Sequence, residues 1–178
     1  MMLTLIEADC LFEFPNLRRA AERFHLVYCD PPFKTQKTHT TKRGEHAFED
    51  RWGNIEHYTK WLSIRCAEAW ELLADGGSLV VHIDPRTSHY VKVELDRQIG
   101  AENFASEIIW RYRRWPTKTL NFQRMHDVLL RYVKGAKSAL RWTQLYEPIA
   151  ESTRRSFGDQ KQRANVNAVG HRTHSSPT

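Results

Sequence analysis

The most constraining stretch is Leu26-Val27-Tyr28-Cys29-Asp30-Pro31-Pro32-Phe33, an apolar run that stops abruptly in an acid, two prolines and an aromatic. Residues that cannot continue a hydrogen-bonded ladder bound the run, so it reads as a buried strand ending in a rigid loop. Asp30 then sits at a strand's carboxyl end, which in open α/β sheets is the edge where ligands bind. By itself Asp-Pro-Pro is also an ordinary way to stop a strand, because proline fixes its own φ and restricts the residue before it. Both readings stand on these residues alone.

The flanking chain places that strand in an α/β pattern. Leu3-Thr4-Leu5-Ile6 is a short strand candidate, and Leu11, Phe14, Leu17 and Ala21 predict a helix over about 11–22. With the strand at Leu26, the order is β-α-β, which favours neighbouring parallel strands. Residues 34–53 are polar and show no sustained periodicity, predicting a long loop: a lid over the Asp-Pro-Pro-Phe corner or a surface insertion. Asn54 is placed to cap a helix carrying Tyr58, Trp61, Leu62, Cys66, Ala69 and Leu73, with Asp75-Gly76-Gly77 as its stop. Ser78–Asp84 is a second strand ended by Pro85, and Ser88 is placed to cap a helix closed by Gly100. Glu107–Arg113 and Val128–Lys134 predict strands paired antiparallel at a sheet edge. From Glu151 onward the chain is polar and basic, with no packed structure expected.

Composition narrows the function classes. The 178 residues suffice for one domain with a real core. A net charge of +6, concentrated in the second half, suits a polyanionic partner. Three cysteines at irregular spacing form neither a disulfide framework nor a CxxC site, pointing to a reducing cytoplasm. The scattered histidines give no zinc spacing, so no metal is expected. No signal peptide or membrane span is expected, because the N-terminus lacks a basic n-region and no apolar run approaches about 18 residues.

Several segments together resemble the beta class of DNA amino-methyltransferases: Glu7-Ala8-Asp9-Cys10, the Tyr28–Phe33 stretch, Ala47–Trp52, Gly77–Asp84 with Ser88-His89-Tyr90, Glu107–Tyr112 and Met125–Tyr132. The resemblance spans about residues 3–160. It implies a Rossmann-like, S-adenosylmethionine-dependent α/β fold, with a mostly parallel sheet, an antiparallel edge pair and an incomplete C-terminus. It further implies methyl transfer to the exocyclic amino group of adenine, or less favourably cytosine, in a DNA base flipped out of the duplex.

An exocyclic amino nitrogen is a poor nucleophile because its lone pair is delocalised into the ring. An acceptor on its hydrogens restores nucleophilicity. By resemblance Asp30 and the Pro31 carbonyl are those acceptors, Pro32 helps stiffen the corner, and Phe33 stacks on the base. Asp9 then accepts from the cofactor's adenine, although it is equally placed to cap the helix near Leu11. His82 and Asp84 end a strand that could reach the same cleft. Trp115, Phe122 and the arginines around them are candidate DNA contacts. The cysteine nucleophile of carbon-5 enzymes is not matched, since no cysteine follows a proline.

The family's Asp-Pro-Phe-x-Gly-x-Gly cofactor loop is absent from these residues. The expectation is a truncated or split enzyme: residues 1–135 as the base-binding half, 136–178 as a basic, poorly structured start of the target-recognition region, and a complementing C-terminal half as partner. The alternative is a catalytically inactive DNA-binding fragment or subunit. An RNA or protein-glutamine methyltransferase is disfavoured by the acid at position 30.

Overall fold

The strand that opens the Asp-Pro-Pro-Phe corner is an edge of a four-stranded sheet. In the computed structural model, which describes residues 3–118, 120–135, 143, 150–157, 165, 166, 172 and 173, the chain divides into two units, 1–141 and 142–178. The first unit runs α1 (Cys10–Arg19), β1 (Phe24–Cys29), β2 (Lys37–Thr40), β3 (His46–Asp50), α2 (Ile55–Trp70), β4 (Leu73–Ile83), α3 (Pro85–Ile99), a 3-10 turn (Ala101–Asn103), β5 (Phe104–Arg111) and β6 (His126–Val133). The sheet order is β1-β4-β6-β5, with β2 and β3 as a separate hairpin. In the second unit the described elements are α4 (Glu151–Phe157) and a two-residue antiparallel ladder of β7 (Asn165–Val166) with β8 (Arg172–Thr173). These short pieces occupy part of the tail expected to lack packed structure; most of residues 136–178 lie outside the described residues.

The chain forms an α/β fold with a mixed sheet. β1 and β4 are parallel, and the expected antiparallel pair of β5 and β6 is present. The antiparallel part extends one ladder further, because β6 lies inside the sheet and pairs β4 antiparallel as well. Period-two alternation sends Leu79, Val81 and Ile83 of β4, and Val128, Leu130 and Tyr132 of β6, to one buried face. Tyr58, Leu62 and Cys66 of α2 and Val91, Leu95 and Ile99 of α3 cover that face. Two features pin α3: Asp84 caps its start by accepting from the Arg86 N–H at 2.8 Å, and Gly100 closes it at φ 92°.

Several expectations are corrected. Residues 3–6 form no strand: Leu3 and Leu5 are exposed, with no partner strand among the described residues. α1 ends at Arg19 and passes through Pro15. Residues 34–53 are not a structureless loop but contain the β2–β3 hairpin. The α3 cap is Asp84, and Ser88 is buried one turn inside the helix.

Asp75-Gly76-Gly77 does not stop α2, which ends at Trp70. It forms an irregular entry to β4: Phe24 pairs Leu73 and Leu26 pairs Ser78, so extra β4 residues bulge out between these pairs. Gly76 takes φ 75°, and a Cβ on Gly77 would lie 2.8 Å from the Ala74 carbonyl oxygen and 2.9 Å from that of Phe24. Both are backbone atoms and cannot step aside as a side chain would. Gly77→Ala is therefore expected to destabilise the chain by about 2 kcal/mol, read as a lower urea midpoint at unchanged slope.

Candidate active site

β1 ends at Cys29, and the chain turns through Asp30, Pro31, Pro32 and Phe33 into a cleft of about 490 Å3. These four residues line one side; Thr35 and Asp50, with His39 and Phe48 of the hairpin, line the rest. Pro31 is buried, whereas the Asp30 side chain is 62% exposed. The His39 and Phe48 rings stack at 4.5 Å and 12°. The cleft is thus walled by flat apolar and aromatic groups, with a carboxylate at its rim.

Tyr58, fully buried on α2, holds the corner by donating its hydroxyl to the Pro32 carbonyl at 2.8 Å. Burial pushes the Tyr58 phenol well above its ordinary range, so it stays a donor. Tyr58→Phe removes this bond while keeping the ring and is expected to cost about 1 kcal/mol, measured by urea unfolding.

Asp50, only 1% exposed, organises the rest of the cleft. Its carboxylate accepts from the Lys34 N–H at 2.9 Å, the Thr35 N–H and hydroxyl at 2.7 Å each, and the Trp52 indole N–H at 2.9 Å. Lys34 and Gln36 take φ 54° and 61°, conformations that non-glycine residues rarely adopt, and these bonds hold the segment there. Gln36 closes the base of the hairpin, donating to the Trp52 carbonyl at 2.8 Å and accepting from its N–H at 2.7 Å.

Burial is the largest influence on Asp50 and raises its pKa, but the donors together outweigh it and hold the carboxyl below its ordinary value of 3.8. Asp84 behaves alike: burial raises it, while Arg86 and Arg124 outweigh that and lower it. A carboxyl depressed in the folded state contributes stability above its unfolded pKa and loses it as pH falls through the folded value. The unfolding free energy is therefore expected to hold down to about pH 5 and to fall below that, as urea midpoints against pH would show.

Among the sequence-predicted residues, Asp30, Pro31, Pro32 and Phe33 come together in the cleft. His82, on β4, lies beside them, its Nδ1 3.3 Å from Asp30 and its ring edge-on to Phe33 at 4.9 Å. Asp84 does not line the cleft: it caps α3 and pairs with Arg86 and Arg124. Asp9 caps α1, accepting from the Leu11 N–H at 3.0 Å, and pairs with Arg65 at 2.7 Å. Trp115 and Phe122 stand exposed in the segment between β5 and β6. Cys10, Cys29 and Cys66 are free; a hydrogen bond with Cys29, with burial adding, holds the Cys66 thiol well above its ordinary range.

Asp50, Thr35, His39, Phe48 and Tyr58 complete the site although no sequence motif marks them as site residues. The available signal was the Phe48-Glu49-Asp50-Arg51-Trp52 run, whose alternation points Phe48, Asp50 and Trp52 to one side.

With this geometry in hand, comparison with known proteins decides the family. The family model for N6/N4 methyltransferases, described as DNA methylase, matches residues 24–175. The chain belongs to the DNA methylase family. A curated relative, the Type II methyltransferase M.EcaI of Enterobacter cloacae, is 32% identical over 135 residues, which is 75% of this methylase chain and 30% of the relative. Among solved structures, the M1.HpyAVI-SAM complex aligns with a TM-score of 0.52 at 15% identity, covering 83% of this chain and 59% of that one. M1.HpyAVI itself aligns with a TM-score of 0.53 at 15% identity, over 75% of this chain and 56% of that one. These two alignments show the shared methyltransferase fold. The methylase chain thus spans under a third of its curated relative and somewhat over half of either solved structure.

Proposed function

We propose that this chain is the base-binding part of a site-specific DNA methyltransferase, acting on the exocyclic amino group of adenine and, as a second reading, of cytosine. The carrying observation is the Asp30-Pro31-Pro32-Phe33 corner at the carboxyl end of β1, facing an aromatic-walled cleft in a chain of the DNA methylase family. Asp30 accepts from the target amino group and draws its nitrogen towards a nucleophilic state, the Pro31 carbonyl serving as second acceptor. The Pro32 carbonyl is already engaged by Tyr58, which supports a fixed loop rather than a second binding role. Phe33 stacks on the flipped base, and Trp115, Phe122 and the nearby arginines contact the DNA.

S-adenosylmethionine is the proposed methyl donor; bound, it supplies a methyl group on a sulfonium. By resemblance Asp9 would hold its adenine; Asp9 lies outside the cleft lining and its oxygens are engaged by the Leu11 N–H and Arg65, so this role needs a carboxylate lone pair beyond those bonds. The 178 residues offer no glycine-rich loop for the rest of the donor, so the isolated chain should give little or no heat with S-adenosylmethionine in calorimetry.

A complementing polypeptide is the proposed partner, and the open side of β1 supports it. β1 has no second neighbour among the described residues, and Leu26 and Tyr28, on the sheet face opposite Val27 and Cys29, are more than half exposed. The test is transfer of labelled methyl to DNA by the chain alone and with a supplied C-terminal half. Transfer only with the half supports a split enzyme, and DNA binding with no transfer in either case supports the inactive subunit. Homology with a Type II enzyme makes a restriction-modification role the expected setting.

A further inference from the structure

An acceptor that must lie in the plane of a base has to be held within about 0.5 Å of its place. The prolines stiffen the backbone after Asp30, but they do not act on its side-chain torsions, and the carboxylate is 62% exposed. Among the described residues, His82 is the only basic side chain in ion-pair range of it, with Nδ1 3.3 Å from Oδ1. His82 is itself confined. Its side chain is 20% exposed, the Tyr28 hydroxyl lies 3.1 Å from the same Nδ1, and Phe33 presses edge-on against the ring.

The far nitrogen, Nε2, is buried without a hydrogen-bond partner and faces Asp127 Oδ2 at 3.6 Å. Asp127, on β6, is in turn held by the Tyr112 hydroxyl, which donates to Oδ1 at 3.1 Å. A line of side chains, Tyr112, Asp127, His82 and Asp30, thus crosses the sheet from the end of β5 to the end of β1.

We propose that His82, backed by Asp127, is a positioning residue that fixes the side-chain rotamer of Asp30 at the mouth of the cleft. The inference rests on the reading of Asp30 as the amino-group acceptor, but its central test does not. In the full chain labelled with 13C and 15N, three-bond couplings to the Asp30 carboxyl carbon report its first side-chain torsion. Wild type should show one rotamer. His82→Ala should give couplings averaged over several, with Asp127→Asn giving a smaller shift in the same direction. His82→Gln, closer in volume, reads the same effect should the alanine variant fail to fold.

Binding of 2′-deoxyadenosine is then compared with its analogue lacking the amino group. Wild type should prefer the amino compound by about tenfold. His82→Ala should lose that preference while keeping its affinity for the analogue, a split that general unfolding would not produce. Asp30 couplings unchanged in His82→Ala, or in His82→Gln where alanine does not fold, overturn the proposal. A wild type without preference overturns the base-amino reading of Asp30, while the couplings still decide the role of His82.

Discussion

Asp30→Ala is expected to lower methyl transfer by about a thousandfold in a preparation that is otherwise active, because it removes the acceptor that makes the amino nitrogen nucleophilic. The stability of the chain should change little. Asp30 is exposed and contributes only a peripheral contact to His82, so substitution leaves no buried group stranded. The measurement is initial rate with labelled donor on DNA, using wild-type and variant chains with the same complementing half. Loss of rate at unchanged urea midpoint supports a chemical role. An active variant at the wild-type rate removes Asp30 from the mechanism.

Asp50→Ala should act in the opposite way, with the largest effect on stability. Its removal leaves the N–H groups of Lys34 and Thr35, the Thr35 hydroxyl and the Trp52 indole without their acceptor at a site that is 1% exposed. Each stranded donor costs about 1–3 kcal/mol, less whatever water entry recovers, so a loss of about 3 kcal/mol or more is expected. Against a total of about 5–15 kcal/mol, that is a large share. The left-handed turns at Lys34 and Gln36 lose their support as well, so the hairpin bearing His39 and Phe48 should detach from the corner. A lower urea midpoint, with loss of amide protection over residues 34–52 in hydrogen exchange, would verify this. A variant with wild-type stability would show that Asp50 does not organise the cleft.

These two carboxylates illustrate what sequence makes visible. Asp30 stands out because its neighbours are unusual: an apolar run, then two prolines, is a local signal of a strand end. Asp50 looks like an ordinary charge in a polar stretch, since its partners are mostly backbone N–H groups and no residue type announces them. The β2–β3 hairpin is hidden for a related reason. Apart from the Phe48-Asp50-Trp52 alternation, its strands carry Lys37, Thr38, Thr40, His46 and Glu49, which are exposed, so no run of buried apolar residues marks them as strands.

Helices α2 and α3 and strands β4 and β6 are legible because each presents an apolar face or run to one core; β1 is legible as a strand, but at the sheet edge it is only half-buried where its apolar run predicts a buried strand. Glycine-rich punctuation was ambiguous. Asp75-Gly76-Gly77 suits a helix stop and a strand bulge equally, and only the register of β1 on β4 separates the two. Leu3–Ile6 shows the converse: apolar residues need a neighbouring strand to become one, and the described sheet offers none there. The role proposed for His82 is out of reach of the sequence, because the groups around it come from β1, the corner after it and β6, with Tyr112 reaching it only through Asp127.

The proposed function requires the corner to act on an exocyclic amino group. Digesting methylated DNA to nucleosides after reaction with this chain and its complementing half, and separating the products by mass spectrometry, tests that directly. The prediction is N6-methyladenine, or N4-methylcytosine on the second reading, absent when Asp30→Ala replaces the wild-type chain. Appearance of 5-methylcytosine instead, or equal N-methylation by the variant, would contradict it.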